Sequence, residues 1–385
     1  MTEVIFNGRQ LDKSIETFFK HTPGISSYDK ETLFRLFTFT IRYWLTIHEI
    51  YKTQFYSRNL DFNEILHIQH ILERLYTGKL VCKGEYEKRI LENFKKIENI
   101  NHLKESYPEW LMNVMLQETS DKEKLTHCLN QIPATVLRAN TLRITREELK
   151  KRLESKGKMI SDIEGYPEAL RINKHFDLFK SEEFHAGLFE MQDAGSQAIA
   201  PFLNAEPGMR VVDACAGNGG KTLHLASLMT NKGKIIALDT ASHKLEVLKK
   251  RMNRAGAVNI ETRPIDSSKV IKRLQNSADR LLLDAPCSGT GVLKRNPDIK
   301  YHLSEEKLRQ LKQTQHEILD KYSDMVVKNG ILVYSTCSVL ESENQQQINR
   351  FLEEKQGNFE LLAEKNISPL EGFDGFYMAR LKRIN

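Results

Sequence analysis

Apolar residues recur at three- and four-residue spacing through the first hundred positions. They run through Leu33, Leu36, Phe37, Ile41, Trp44 and Leu45, through Ile65, Ile68, Ile71, Leu72 and Leu75, and through Ile90, Leu91, Phe94 and Ile97. That period puts them on one face of successive α-helices, and Gly and Pro are sparse there apart from Pro23-Gly24. The region reads as a helical bundle whose stripes are core. Tyr107-Pro108-Glu109-Trp110-Leu111 then marks a turn into another short helix. Between about 134 and 190 the texture changes to α+β: strand-like alternation over 134–142, a helix over 145–156, and short apolar runs split by turns over 157–179. From about 195 the pattern is strand, Gly-rich turn, helix, repeated. Strands are expected at 209–214, 234–239, 259–263, 280–284 and 331–336, with helices at 221–229, 243–255 and 305–327. This alternation predicts an α/β fold, a doubly wound, mostly parallel sheet, in which ligands bind beyond the carboxyl ends of the strands. The expected domains are 1–125, 126–193 and 194–385.

A length of 385 residues fits two or three domains, and 40% hydrophobic with 28% charged residues excludes wholesale disorder. The formal charge of +6 permits a polyanionic partner such as RNA without demanding one. No apolar run reaches the length of a membrane helix; 33–50 is broken by Arg35 and Arg42. The opening Met1-Thr2-Glu3-Val4 lacks the layout of a secretory signal. Five cysteines (Cys82, Cys128, Cys215, Cys287 and Cys337) are odd in number and contain no CxxC pair. Neither a disulfide scaffold nor a metal site is expected, and free thiols fit a reducing cytoplasm.

The segment Asp213-Ala214-Cys215-Ala216-Gly217-Asn218-Gly219-Gly220-Lys221-Thr222 joins a strand to a helix. Glycines there let the backbone approach a ligand and aim helix-start amides at it. Such a turn alone serves a dinucleotide, a nucleotide, S-adenosylmethionine or tight packing. A phosphate loop is disfavoured, because Cys215 stands where its first Gly belongs. Asp239 closes the second strand, suited to ribose hydroxyls, and Asp266 follows the third, suited to an adenine edge. Singly, each reads as a helix cap or turn carboxylate. In register with the glycine turn they point to a nucleoside.

Asp284-Ala285-Pro286-Cys287-Ser288-Gly289-Thr290-Gly291 is the sharpest signal, with Ser335-Thr336-Cys337-Ser338 fifty residues on. One cysteine after a strand is most simply a core filler. Two, each at a strand's carboxyl end, suit one cleft. Carbon 5 of cytosine is too weak a nucleophile to take a methyl group unaided. A thiolate adding to carbon 6 makes carbon 5 enamine-like, and a second group then assists elimination. Only the thiolate attacks, so the site must activate it. Asp284 suits the cytosine ring nitrogen or exocyclic amine.

These segments resemble the RNA 5-methylcytosine methyltransferases of the RsmB/Sun family. Further matches lie in order: Arg138-Ala139-Asn140-Thr141-Leu142, Gln192-Asp193-Ala194-Gly195-Ser196-Gln197, Arg295-Asn296-Pro297-Asp298-Ile299-Lys300, Glu343-Asn344 and Asp374-Gly375-Phe376-Tyr377. Coverage runs from about 134 to 385. The resemblance implies a Rossmann-like methyltransferase domain, a small RNA-recognition-like subdomain before it and an amino-terminal helical domain similar to NusB. It makes Cys337 the nucleophile and Cys287 the cysteine that assists release. It places Cys215, Ala216, Gly217, Asn218, Gly219, Gly220, Lys221, Asp239, Asp266 and Asp284 around S-adenosylmethionine. Asn218 departs from the family's usual Pro. Arg138, Arg143, Arg146, Lys150, Lys151 and Arg152 are candidate phosphate contacts, or for the last three a solvated helix face. The stretch 294–298 is expected beside an extruded nucleotide. The implied function is methylation of cytosine carbon 5 in RNA, small-subunit ribosomal RNA above transfer RNA, by a cytoplasmic monomer. DNA cytosine methylation would use the Pro-Cys thiol as nucleophile and leave Cys337 idle. Adenine methylation lacks its Asp/Asn-Pro-Pro-aromatic tetrapeptide. A non-catalytic RNA-binding assembly factor would need neither thiol.

Overall fold

A computed structural model describes residues 2–5, 7–22, 24–55, 61–80, 84–174 and 177–385. Pro23, Cys82 and positions 175–176 of the 157–179 run lie outside the described residues. The chain forms two compact units, residues 1–131 with 292–307, and residues 132–291 with 308–385.

The first unit is helical. Its principal helices are Leu11–His21, Ser27–Arg42, Trp44–Phe55, Phe62–Tyr76, Glu85–Ile97 and Glu109–Glu118. Ser26 caps one start by accepting the Asp29 N–H at 3.1 Å, and Asp61 caps another through Asn63. Trp44, Ile68, Leu72, Ile90 and Phe94 meet in its core, as their spacing predicts, and Ile47 and Ile50 join them. Residues 292–307, which the expected 194–385 range includes, pack in this helical unit. Asp298 accepts the Leu11 N–H at 3.1 Å, and the Lys294 carbonyl accepts from Arg42 Nη2 at 2.7 Å. Lys300 is fully buried. Its Nζ faces the carbonyls of Arg42 (3.2 Å), Glu105 (3.3 Å) and Ser106 (3.2 Å) and Asn130 Oδ1 (2.6 Å), above the Tyr107 ring at 3.8 Å. Lys294, Asp298 and Lys300 are interior residues, whereas Arg295 in the same stretch is half-buried and Asn296 exposed.

The second unit carries two sheets. The smaller is antiparallel, in the order β2-β3-β1-β4, from β1 (Thr135–Ala139), β2 (Ile160–Asp162), β3 (Ala169–Ile172) and β4 (Phe189–Met191). Leu149 and Leu153 of the helix Arg146–Ser155 close its core. The larger has seven strands: β5 (Arg210–Asp213), β6 (Lys234–Asp239), β7 (Ile260–Pro264), β8 (Ala278–Asp284), β9 (Val326–Thr336), β10 (Phe359–Ile367) and β11 (Phe376–Arg383). Their order is β10-β11-β9-β8-β5-β6-β7. Strands β5 to β9 pair in parallel, and the inner strands β5, β6 and β8 read as largely apolar runs because they are covered on both faces, whereas β7 at the edge does not. The hairpin β10–β11 adds antiparallel to β9, beyond the five expected strands. The long helix ends at Tyr322 rather than 327, because β9 begins at Val326. No helix of the described residues is long and apolar enough to cross a membrane.

Lys300→Met keeps the length of the side chain and leaves its buried acceptors without a donor. The expected loss is about 3 kcal/mol, read as a lower urea midpoint for the helical unit.

Candidate active site

Beyond Asp213 the chain turns sharply into the helix Gly220–Leu228. Gly217 (φ +54°) and Gly219 (φ +84°) both take left-handed backbone. A Cβ on Gly219 would lie 2.1 Å from Leu248, so only glycine fits. At Gly217 nothing lies within 4 Å of that position, and the missing side chain leaves open space. The Gly217 N–H donates to Asp239 Oδ2 and the Ala241 N–H to Oδ1, each at 2.8 Å. A cavity of about 490 Å³ opens here, lined by Cys215, Gly217, Asp239 and Asp284, with Ile265, Ile318 and Tyr322 as its apolar wall. That size suits a nucleoside-scale ligand.

Parallel pairing of β8 with β9 sets Asp284 opposite Ser335. The two cysteines follow immediately, and their sulfurs stand 3.3 Å apart as free, partly exposed thiols. That separation is a hydrogen-bonding contact and well beyond the ~2.05 Å of a disulfide bond. The hydrogen bond to Cys337, then burial, push the Cys287 thiol well above its ordinary range. The two loops are laced together. Gly291 N–H donates to the Cys337 carbonyl at 2.9 Å, and a Cβ on Gly291 would lie 2.8 Å from that oxygen. Thr290 Oγ1 accepts the Val339 N–H at 3.1 Å and lies 3.0 Å from Ser338 Oγ. Thr336 Oγ1 donates to Asn344 Oδ1 at 2.5 Å.

Lys221 Nζ donates to Asp284 Oδ2 at 2.6 Å, and Ser335 Oγ donates to Asp284 Oδ1 at 2.9 Å. Burial works against the Lys221 ammonium, but Asp284 and Cys337 beside it hold its pKa above the usual lysine value. Asp213, one strand away, accepts from Thr222 Oγ1 at 2.7 Å. Burial, with Asp284 nearby, pushes its pKa up to about 7.

The structure brings Cys287, Cys337, Asp284, Lys221, Cys215, Gly217 and Asp239 to one end of the sheet. Others of the expected set lie outside the lining of this cavity. Gly219 backs onto Leu248, the Asn218 carbonyl accepts from Arg251 Nη1 at 2.7 Å, and the Gly220 carbonyl accepts from Arg138 Nη1 at 2.8 Å. Asp266 is exposed, takes a hydrogen bond from Ser267 Oγ, and lies outside the cavity lining. Arg138 is buried rather than free for a phosphate, and burial lowers its pKa to about 10. Arg143 is held by the Ala255 carbonyl, Arg146 and Lys150 face Asp162, and Arg152 pairs with Glu183. Sequence reasoning missed the wall formed by Thr314, Glu317, Ile318 and Lys321. Their three- and four-residue spacing was the available signal.

The folded chain keeps the Asp213 proton to about pH 7, whereas an unfolded aspartate loses it near 3.8. Folding therefore takes up a proton between these values, and stability falls as pH rises through them. Asp213→Asn should remove that decline, so that urea midpoints of the variant change less between pH 5 and 8 than those of the wild type.

Comparison with known proteins identifies relatives of this chain. Residues 200–382 match the family described as 16S rRNA methyltransferase RsmB/F, and residues 107–178 match its ferredoxin-like domain. A probable ribosomal RNA small subunit methyltransferase B of Synechocystis is 34% identical over 65% of this chain, which spans 57% of that relative's length. Ribosomal RNA small subunit methyltransferase B of Klebsiella pneumoniae is 32% identical, covering 82% of this chain and 74% of the relative. The crystal structure of PH0851 superposes with a TM-score of 0.79 at 25% identity, over 99% of this chain and 97% of that one. On the fold, the paired cysteine loops and these matches, the chain belongs to the RsmB/F family of S-adenosylmethionine-dependent methyltransferases.

Proposed function

We propose that this chain methylates carbon 5 of a cytosine in RNA, through a covalent bond between Cys337 Sγ and carbon 6. The substrate we propose is small-subunit ribosomal RNA, the class named for its relatives. The 3.3 Å contact between the two sulfurs, beside Asp284 at the carboxyl ends of β8 and β9, carries this reading. The free thiols suit a reducing cytoplasm, and a monomer is the proposed active species, because the cysteine pair and the cavity come from one chain.

S-adenosylmethionine, when bound, supplies an electrophilic methyl group. The cavity fits it. Asp239 has spare lone pairs for ribose hydroxyls, and Ile265, Ile318 and Tyr322 offer faces for adenine. The open side of Gly217 admits the ligand close to the backbone, and the positive start of Gly220–Leu228 suits a carboxylate.

Cys337 Sγ, as the thiolate, bonds to carbon 6 and makes carbon 5 nucleophilic. Asp284, braced by Lys221 and Ser335, orients the pyrimidine through its ring nitrogen or amine. After carbon 5 is methylated, loss of its proton to a base restores the ring double bond and expels Cys337 Sγ. The Cys287 thiol, in contact with that sulfur, stabilises it by donating its hydrogen.

Cys337→Ala should lose at least ~10³-fold in methyl transfer and form no protein–RNA adduct. Cys287→Ala should accumulate an adduct that survives denaturing electrophoresis. Methylated product mapped by bisulfite should lie at cytosine. An active Cys337→Ala variant, or a Cys287→Ala variant that never forms the adduct, would contradict the assignment.

A further inference from the structure

We infer that a second cavity, between the loop before β3 and the β10–β11 hairpin, holds a nucleotide that flanks the target cytosine in the RNA strand. This rests on the reading of RNA as the substrate and extends it to a subsite. The cavity measures about 310 Å³ and shares no lining residue with the one beside the cysteines. Tyr166 and Glu168 line it from the loop, Phe202 from the short helix Ile199–Phe202, and Lys365 and Arg380 from the hairpin.

Strand register puts the two cations together. Ala363 stands opposite Arg380, and Lys365 is two residues along, on the same side of β10. Glu364 belongs to the other side, where it accepts the Tyr377 hydroxyl. Among the described residues neither Lys365 nor Arg380 is paired with a carboxylate, and the buried Arg380 Nε has no hydrogen-bond partner. A desolvated donor left in that state costs stability, which an arriving anion recovers. Arg380 stands 5.1 Å over the Phe202 ring, and Tyr166 adds a second, half-buried ring to the cavity. Rings that stack on a base, beside cations that meet its phosphate, are what a single strand of RNA requires. The Glu168 carboxylate offers an acceptor to the N–H groups of that base.

The same register relates this cavity to the chemistry. Arg380 pairs with Val333 on β9, which puts it on the sheet face of Ser335 and its hydrogen-bond partner Asp284. Cys337 lies four residues beyond Val333 (337 − 333). At ~3.3 Å per residue that is about 13 Å along the strands. With ~3.4 Å between stacked nucleotides, the subsite holds a base about four positions from the target, or fewer where the strand is stretched.

The test is binding of a short fluorescein-labelled single-stranded RNA to the full chain across a salt series, without methyl donor. Lys365 is exposed, so Lys365→Gln leaves the fold intact. It should weaken binding about fivefold at about 0.1 M salt and make the slope of log Kd against log salt shallower by about 0.7. Lys328→Gln, an exposed position near the opposite end of β9, should leave both values unchanged. Ultraviolet cross-linking of the same RNA carrying 5-bromouridine should map to peptides containing Tyr166 or Phe202. Wild-type binding by Lys365→Gln would overturn the inference, as would an equal loss in Lys328→Gln or cross-links that avoid both peptides. Binding needs no methyl transfer. A chain that binds as expected and never methylates carbon 5 would refute the proposed chemistry and leave the subsite standing, whereas an active methyltransferase indifferent to Lys365 would do the reverse.

Discussion

Parallel pairing of two neighbouring strands is the constraint from which the rest of the site follows. With β8 and β9 in register at Asp284 and Ser335, the chains leaving their ends travel together, and residues fifty apart in sequence become neighbours. Three residues past Asp284 and two past Ser335 lie the cysteines. Their contact depends on the backbones beyond them staying close, which Gly291 permits by carrying no side chain between the Cys337 and Gly375 carbonyls. The added strand β11 pairs with β9 and brings Gly375, whose N–H donates to Gly291 O at 2.8 Å. A sheet edge that looks remote from chemistry therefore holds the loop that presents Cys287.

Buried charge surrounds that contact. Lys221 and Asp284 pair at 2.6 Å, and Glu343 takes hydrogen bonds from the Ser288 N–H and the Gln315 amide. Desolvation makes each such group expensive. Arg138 does related work away from the thiols: it bonds the Gly220 carbonyl and Gln192 Oε1, fixing the start of the helix behind the glycine turn.

Much of this arrangement was legible in the chain. Apolar runs ending in Asp213, Asp239 and Asp284 announced buried parallel strands with polar tips, and the Gly217–Gly219 turn between strand and helix announced a ligand crevice. Paired cysteines after consecutive strands carried the most information, because a parallel sheet leaves them few places to go. Harder to read were polar residues that fold inward. Lys294, Asp298 and Lys300 have the composition of an RNA-contacting surface, yet they are buried: Asp298 takes the Leu11 N–H, and Lys300 meets backbone carbonyls and Asn130 Oδ1, partners that no local pattern reveals. The same holds for Arg138. Strand β10 alternates half-buried and exposed positions over its first six residues and carries several charges, so Phe359–Ile367 gives no continuous apolar run. Asp266 is exposed past its strand end, and its neighbour Ile265 lines the cavity.

The proximity of the two sulfurs is best tested by a trivalent arsenical, which bridges a pair of thiols only when both can reach one arsenic atom. Intact-mass and peptide analysis of the reduced chain with phenylarsine oxide should show one arsenic joining the Cys287 and Cys337 peptides, lost when either cysteine is replaced by alanine. A chain in which no arsenical joins these two peptides, while iodoacetamide reaches each thiol separately, would contradict the account.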